Sequence, residues 1–136
     1  MQFVQNNMSL VMLALVSAVM LIWPAIGRRI SGVKEAGVLE ATQLINHREA
    51  LVLDVREDAE FAGGHIASAR HVPLLHLKKQ VADLEKFRDK PVVVICRSGA
   101  RSATGCRVLR NAGFGEVYNF KGGMLAWEKA NMPVAK

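Results

Sequence analysis

The sequence predicts an α/β domain, a parallel β-sheet flanked by helices on both faces, preceded by one N-terminal transmembrane helix. Three observations predict it. All 18 Lys and Arg and all 12 Asp and Glu lie in residues 28–136, leaving residues 1–27 without a charge. Within that uncharged stretch, residues 8–26 (MSLVMLALVSAVMLIWPAI) are apolar but for two serines. Beyond it, short apolar runs rich in β-branched residues alternate with segments of helical period, the signature of strands joined by helical crossovers.

The N-terminal run comes first. At about 1.5 Å per residue, 19 residues of helix reach roughly 28 Å, close to the hydrocarbon thickness of a bilayer. Trp23 lies near its end, where an amphipathic ring suits the headgroup level, and Pro24 lies where a lost helix bond costs little. Arg28 and Arg29 follow at once, then Lys34, while Gln2, Gln5, Asn6 and Asn7 on the other flank are uncharged. Positive flanks stay cytoplasmic, so residues 28–136 are expected to face the cytoplasm. A cleaved signal peptide fits less well, because the basic n-region is absent and the apolar core is too long. A buried core helix fits less well again, because no amphipathic stripe exists. The expected organisation is a short non-cytoplasmic N-terminus at 1–7, a transmembrane helix at 8–27, a linker at 28–37 containing Gly32 and Gly37, and a domain at 38–136.

Within the domain, residues 40–47 (EATQLINH) have helical spacing through Ala41, Leu44 and Ile45. Residues 50–55 (ALVLDV) form a continuous apolar run ending at Asp54, as a strand buried on both faces does. Residues 58–62 read as a helical turn stopped by Gly63 and Gly64, and 69–72 as a short strand ended by Pro73. Residues 77–87 (LKKQVADLEKF) are helical through Leu77, Val81 and Leu84. Residues 91–95 (PVVVI) are the clearest strand. Residues 101–112 read as a helix closed by Gly113, 116–120 as another strand, and 123–130 as a last helix.

In open parallel sheets, ligands bind beyond the carboxyl ends of the strands. Two such ends carry polar chemistry: Asp54 and Arg56 after one strand, and residues 96–102 (CRSGARS) after another. Around Cys96 a buried strand ends, a loop with Gly99 follows, and a helix begins. Loop amides and the helix N-terminus converge above the sulfur and favour an anion, and Arg97 and Arg101 add positive charge. Such surroundings lower a thiol's pKa and supply the thiolate, the nucleophilic form. The competing reading, a small buried hydrophobe, fits this setting poorly.

Three blocks carry a family resemblance. CRSGARS after PVVVI resembles the active-site loop of the rhodanese (thiosulfate sulfurtransferase) family. Residues 54–74 (DVREDAEFAGGHIASARHVPL) are similar to its other signature, D-x-R followed by an acidic residue, an aromatic and G-H-I. Gly113-Phe114, Gly122-Gly123 and Trp127 fit its C-terminal pattern. The resemblance covers about residues 38–133, and the whole architecture is similar to small membrane-anchored bacterial single-domain rhodaneses. It implies a sulfurtransferase in which Cys96 attacks a sulfane sulfur of thiosulfate or a similar donor, becomes a persulfide, and passes the sulfur to a thiol acceptor, small molecule or protein, without a cofactor. It further implies that Arg97, Ser98, Gly99, Ala100, Arg101 and Ser102 bind the substrate and that Asp54 and Arg56 support the site. Its location would be the bacterial inner membrane, with the domain in the cytoplasm. A tethered docking or sulfur-relay module, without significant thiosulfate turnover, is the alternative. The loop is C-x4-R; the related phosphatases use C-x5-R, a larger cradle for a tetrahedral oxyanion, and Ser102 stands where their arginine would be.

Other features read more blandly. His65 is expected as loop scaffolding, and His47, His71 and His76 show no metal-ligand spacing, so no metal is expected. Cys106 is expected at the edge of a buried helix stripe rather than as a partner for Cys96. The chain is 51% hydrophobic, which excludes wholesale disorder, and two cysteines exclude a disulfide scaffold. The net charge of +6 raises nucleic acid. Yet the series Arg97, Arg101, Arg107 and Arg110 lacks interleaved aromatics, so substrate steering or a solvated face is the expectation.

Overall fold

The structure, a computed structural model, describes residues 1–136 except the side chains of Ala25 and of residues 27–31. The chain divides into two units, Met1–Ser31 and Gly32–Lys136.

The first unit holds α1 (Gln2–Asn6) and α2 (Met8–Ser31), the latter 24 residues long. The sequence ended this helix at Gly27; it runs four residues further, because Pro24 removes a single helix bond and no residue after it forbids helical geometry. Its side chains from Leu10 to Trp23 stand exposed but for Val11. α2 covers the segment 8–27 expected to cross a membrane. Among the described residues no helix is long and apolar enough to do so; the side chains of Ala25 and Gly27, and of the positive flank Arg28 and Arg29, lie outside them.

In the second unit the elements follow as β1 (Val33–Ala36), α3 (Val38–Arg48), β2 (Leu51–Asp54), α4 (Asp58–Ala62), β3 (Arg70–His71) and α5 (Leu74–Gln80). A 3-10 helix (Val81–Phe87), β4 (Val92–Ile95), α6 (Ala100–Asn111), β5 (Val117–Phe120) and α7 (Gly123–Lys129) complete it. The five strands form one sheet in the order β1-β5-β4-β2-β3, every pairing parallel. β2 and β4 are buried along their whole length, as their apolar runs require. Alternation then sends Leu51, Leu53, Val92 and Val94 to one face, against Leu77, Leu84 and Leu109 from α5, the 3-10 helix and α6. Val52, Val93 and Ile95 go to the other, against Leu44, Met124 and Trp127 from α3 and α7. Helices therefore cover both faces, as expected.

Two expectations change. The linker 28–37 contains β1, which pairs Val33 with Val117 and Ala36 with Phe120 at the sheet edge. Only Ala36 is buried, while Lys34 and Glu35 face solvent, so the segment has no apolar period to betray it. The helix expected over 77–87 is two elements. After Gln80 the chain tightens to three residues per turn, which brings Val81, Leu84 and Phe87 onto one side, against the core.

Candidate active site

The site forms where β4, the strand with neighbours on both sides nearest the middle of the sheet, ends at Ile95 and the chain turns into α6. Cys96 is 1% exposed. The turn depends on Gly99, at φ 111°, a backbone region that side-chain-bearing residues avoid. That geometry points the Gly99 amide at the sulfur, N–H to Sγ, over 3.0 Å. Burial pushes the Cys96 thiol up, but the Ser102 hydroxyl and the backbone amides of Ser102, Gly99 and Ser98 outweigh it, so the thiol is held below its ordinary value. The sulfur thus faces a ring of donors with the start of α6 beneath it, an arrangement that stabilises an anionic sulfur.

Ser102 is fully buried and stands 3.3 Å from the sulfur. Its hydroxyl donates to Asn119 Oδ1 at 2.6 Å, and Asn119 Nδ2 donates to the Gly99 carbonyl at 3.1 Å. Asn119, on β5, is a site residue that sequence reasoning missed. The signal available was its position, a polar residue near the carboxyl end of a strand. α7 braces the other side of the loop: its amides at Met124 and Leu125 donate to the carbonyls of Cys96 (2.8 Å) and Arg97 (3.1 Å).

The two loop arginines separate. Arg101 donates two parallel bonds to Glu60 of α4, and the Glu60 carboxyl falls to about 2, chiefly through that contact. Arg101 is therefore a tie between loop and domain; Glu60 is the acidic residue before the aromatic in the 54–74 signature, and its contact with Arg101 is what sequence reasoning missed. Arg97 is exposed and has no ion pair among the described residues. It lines a pocket of about 260 Å³ with Glu60, Gly64, Met124 and Glu128. Ser98 and Ala100 are exposed on the loop.

Asp54 and Arg56 pair with each other rather than with the Cys96 loop. Arg56 Nε and Nη2 grip the Asp54 carboxylate, and Nη2 also donates to the Gly64 carbonyl at 2.8 Å. Both side chains are buried. The pair fixes the turn after β2, on which Glu60 rides. His65 donates from Nδ1 to the Phe61 carbonyl and His71 from Nε2 to the Arg56 carbonyl, with the Phe61 ring stacked on both. These histidines hold the same turn.

Cys106 lies inside the buried stripe of Ser102, Gly105, Cys106 and Leu109, not at its edge. Burial pushes its thiol up to about 12. A larger apolar groove, about 500 Å³ and lined by Ile45, Ile66, Trp127 and Pro133 among others, includes no residue of the Cys96 loop.

Comparison with known proteins gives a consistent result. Residues 38–130 match the family model described as a rhodanese-like domain. The chain is 43% identical over 81 residues to the uncharacterized protein YqhL of Bacillus subtilis, covering 60% of this chain and 63% of that protein, less than two thirds of its length. It is 34% identical over 102 residues to the thiosulfate sulfurtransferase GlpE of Coxiella burnetii, covering 75% and 92%. The crystal structure of a rhodanese-related protein from Thermoplasma volcanium superposes with a TM-score of 0.67 at 32% identity, covering 75% of this chain and 97% of that one.

Proposed function

The chain belongs to the rhodanese-like sulfurtransferase family, and from that premise we propose that it moves a sulfane sulfur from thiosulfate to a thiol acceptor through a persulfide on Cys96. One observation carries the proposal: the Cys96 sulfur sits in a cradle of backbone amides that holds its thiol below the ordinary value.

The chemistry follows in two steps. The Cys96 thiolate attacks the outer sulfur of thiosulfate; the new S–S bond forms as the old one breaks, and sulfite leaves with the bonding pair. The amides of Ser98, Gly99 and Ser102 face the charge that then resides on the persulfide. An acceptor thiolate next attacks the outer sulfur of the persulfide, and Cys96 leaves as thiolate, ready for another turn. Arg97, exposed at the mouth of the loop, draws in the dianionic donor. Ser98 and Ala100 shape the entrance, while Arg101, Asp54 and Arg56 hold the loop's surroundings. The proposal extends to the tether. An uncharged run at 8–26 followed by Arg28 and Arg29 suits an inner-membrane anchor at 8–27, with the domain in a bacterial cytoplasm.

The test is steady-state transfer from thiosulfate to cyanide and to a dithiol by the full chain and by Cys96→Ala. Parallel initial-rate lines and a silent Cys96→Ala support the proposal; turnover that survives Cys96→Ala refutes it. For the tether, the full chain expressed in bacteria should stay with membranes through an alkaline wash. Release into the wash would refute the anchor.

A further inference from the structure

The hydrogen bonds around Cys96 close into a ring that contains a choice. The Gly99 amide donates to Cys96 Sγ at 3.0 Å, the Asn119 amide donates to the Gly99 carbonyl at 3.1 Å, the Ser102 hydroxyl meets Asn119 Oδ1 at 2.6 Å, and Ser102 Oγ lies 3.3 Å from the sulfur. The orientation of the Asn119 amide is fixed by chemistry. A backbone carbonyl only accepts, so the nitrogen must face Gly99 and the oxygen must face Ser102. An amide oxygen also only accepts, so the Ser102 hydroxyl is the donor in that contact. A hydroxyl has one proton. With it committed to Asn119, Ser102 turns a lone pair toward Cys96, a partner for the thiol S–H but not for a thiolate.

We propose that Asn119 is a positioning residue for the Cys96 sulfur: it holds the Ser102 hydroxyl proton away from the resting thiol, and the thiolate gains that proton's hydrogen bond only by taking it from Asn119. The proposal deepens the assignment of Cys96 as nucleophile and rests on it. The resting sulfur is a thiol bonded to Ser102. The attacking sulfur is a thiolate bonded to Gly99 and, once the hydroxyl rotates, to Ser102. Asn119 Oδ1 loses its donor in the second state, so Asn119 sets how readily the first gives way to the second. Ser102 is the hydroxyl among the groups that pull the thiol down, so its direction matters to the balance. Arg97 and Arg101 on the loop, Glu60 on α4 against Arg101, the paired Asp54 and Arg56 after β2, Glu128 on α7 and Cys106 on α6 are the ionisable groups around the loop. Arg101 and Cys106 couple to Cys96 electrostatically. The substitutions below leave all of them in place.

The experiment is the pH dependence of Cys96 alkylation by iodoacetamide in the full chain, followed at the Cys96 peptide by mass spectrometry. It reads the thiolate without requiring sulfur transfer. A protein that alkylates but does not transfer sulfur would sink the proposed activity and still decide the role of Asn119. Asn119→Leu removes the acceptor and frees the Ser102 proton for sulfur. Its alkylation midpoint should fall by about half to one pH unit, the worth of one net hydrogen bond. In a Ser102→Ala background the same substitution should produce no shift, whereas a merely structural change would move both backgrounds alike. An unchanged or higher midpoint in Asn119→Leu, or an equal shift without Ser102, overturns the proposal. A readout on the unaltered chain guards against variants that do not fold. The Asn119 side-chain amide resonances should titrate with the Cys96 midpoint, and resonances that stay fixed through it overturn the proposal.

Discussion

Arg101 and Glu60 meet through two parallel N–H···O bonds, Nη1 to Oε1 at 2.6 Å and Nη2 to Oε2 at 2.9 Å. The contact joins the first turn of α6 to α4 through two residues 41 apart in sequence. It also divides the work of the two loop arginines. A guanidinium satisfied at both ends by one carboxylate has little attraction left for an incoming anion. Arg101 therefore holds the loop in shape, and under the proposed function Arg97 is the arginine left to meet a donor.

Glu60→Gln should lower stability by about 1 kcal/mol in urea unfolding, a modest figure because both side chains remain partly solvated. The loss has a pH signature. The Glu60 carboxyl is depressed from 4.5 to about 2 in the folded chain, so its contribution is complete above 4.5 and disappears as pH falls toward 2. The difference between the parent chain and Glu60→Gln should shrink across that interval. A constant difference would contradict the assignment.

Arg97→Ala should raise the KM for thiosulfate roughly tenfold at low ionic strength, with a smaller effect in high salt, since an exposed charge acts through a screened field. Stability should change by less than about 0.5 kcal/mol, because Arg97 pairs with no carboxylate among the described residues. Equal effects on KM at all salt concentrations would argue against steering.

Cys106→Ala should leave the rate of persulfide formation unchanged and cost about 1 kcal/mol through lost burial. A thiol pushed up to about 12 stays protonated at working pH. Iodoacetamide should therefore modify Cys96 in the folded chain, with a midpoint below 9.0, and reach Cys106 only on unfolding. Modification of both at one rate would contradict this.

Gly123→Ala should damage activity more than its size suggests. Gly123 sits at φ 58°, where a side chain costs about 1–2 kcal/mol. A methyl there would also press on the backbone carbonyls of Cys96 and Arg97. Moving α7 off the loop breaks the bonds from the Met124 and Leu125 amides, so transfer should fall at least as steeply as stability. Full activity in a folded Gly123→Ala would refute the brace.

What the sequence disclosed follows from which interactions are local. β2 and β4 are visible because strands buried on both faces must be continuously apolar. The turn from β4 into α6 is visible because Cys96, Gly99, Arg101 and Ser102 lie within one short segment, residues 96–102. β1 is hidden because an edge strand needs only Ala36 inside and puts Lys34 and Glu35 outside. The loop contacts of Asn119 and Glu60 are hidden for a different reason. They reach the loop across 17 and 41 residues of sequence, by sheet register and by the placement of α4, and a carboxylate or an amide in isolation carries no mark of such a contact.

The most direct measurement is the intact mass of the full chain and of Cys96→Ala after incubation with thiosulfate under non-reducing conditions. The account predicts one added sulfur atom on the parent chain, removed by cyanide or a dithiol, and none on Cys96→Ala. No added sulfur on a folded parent chain, or the same gain on Cys96→Ala, would contradict it.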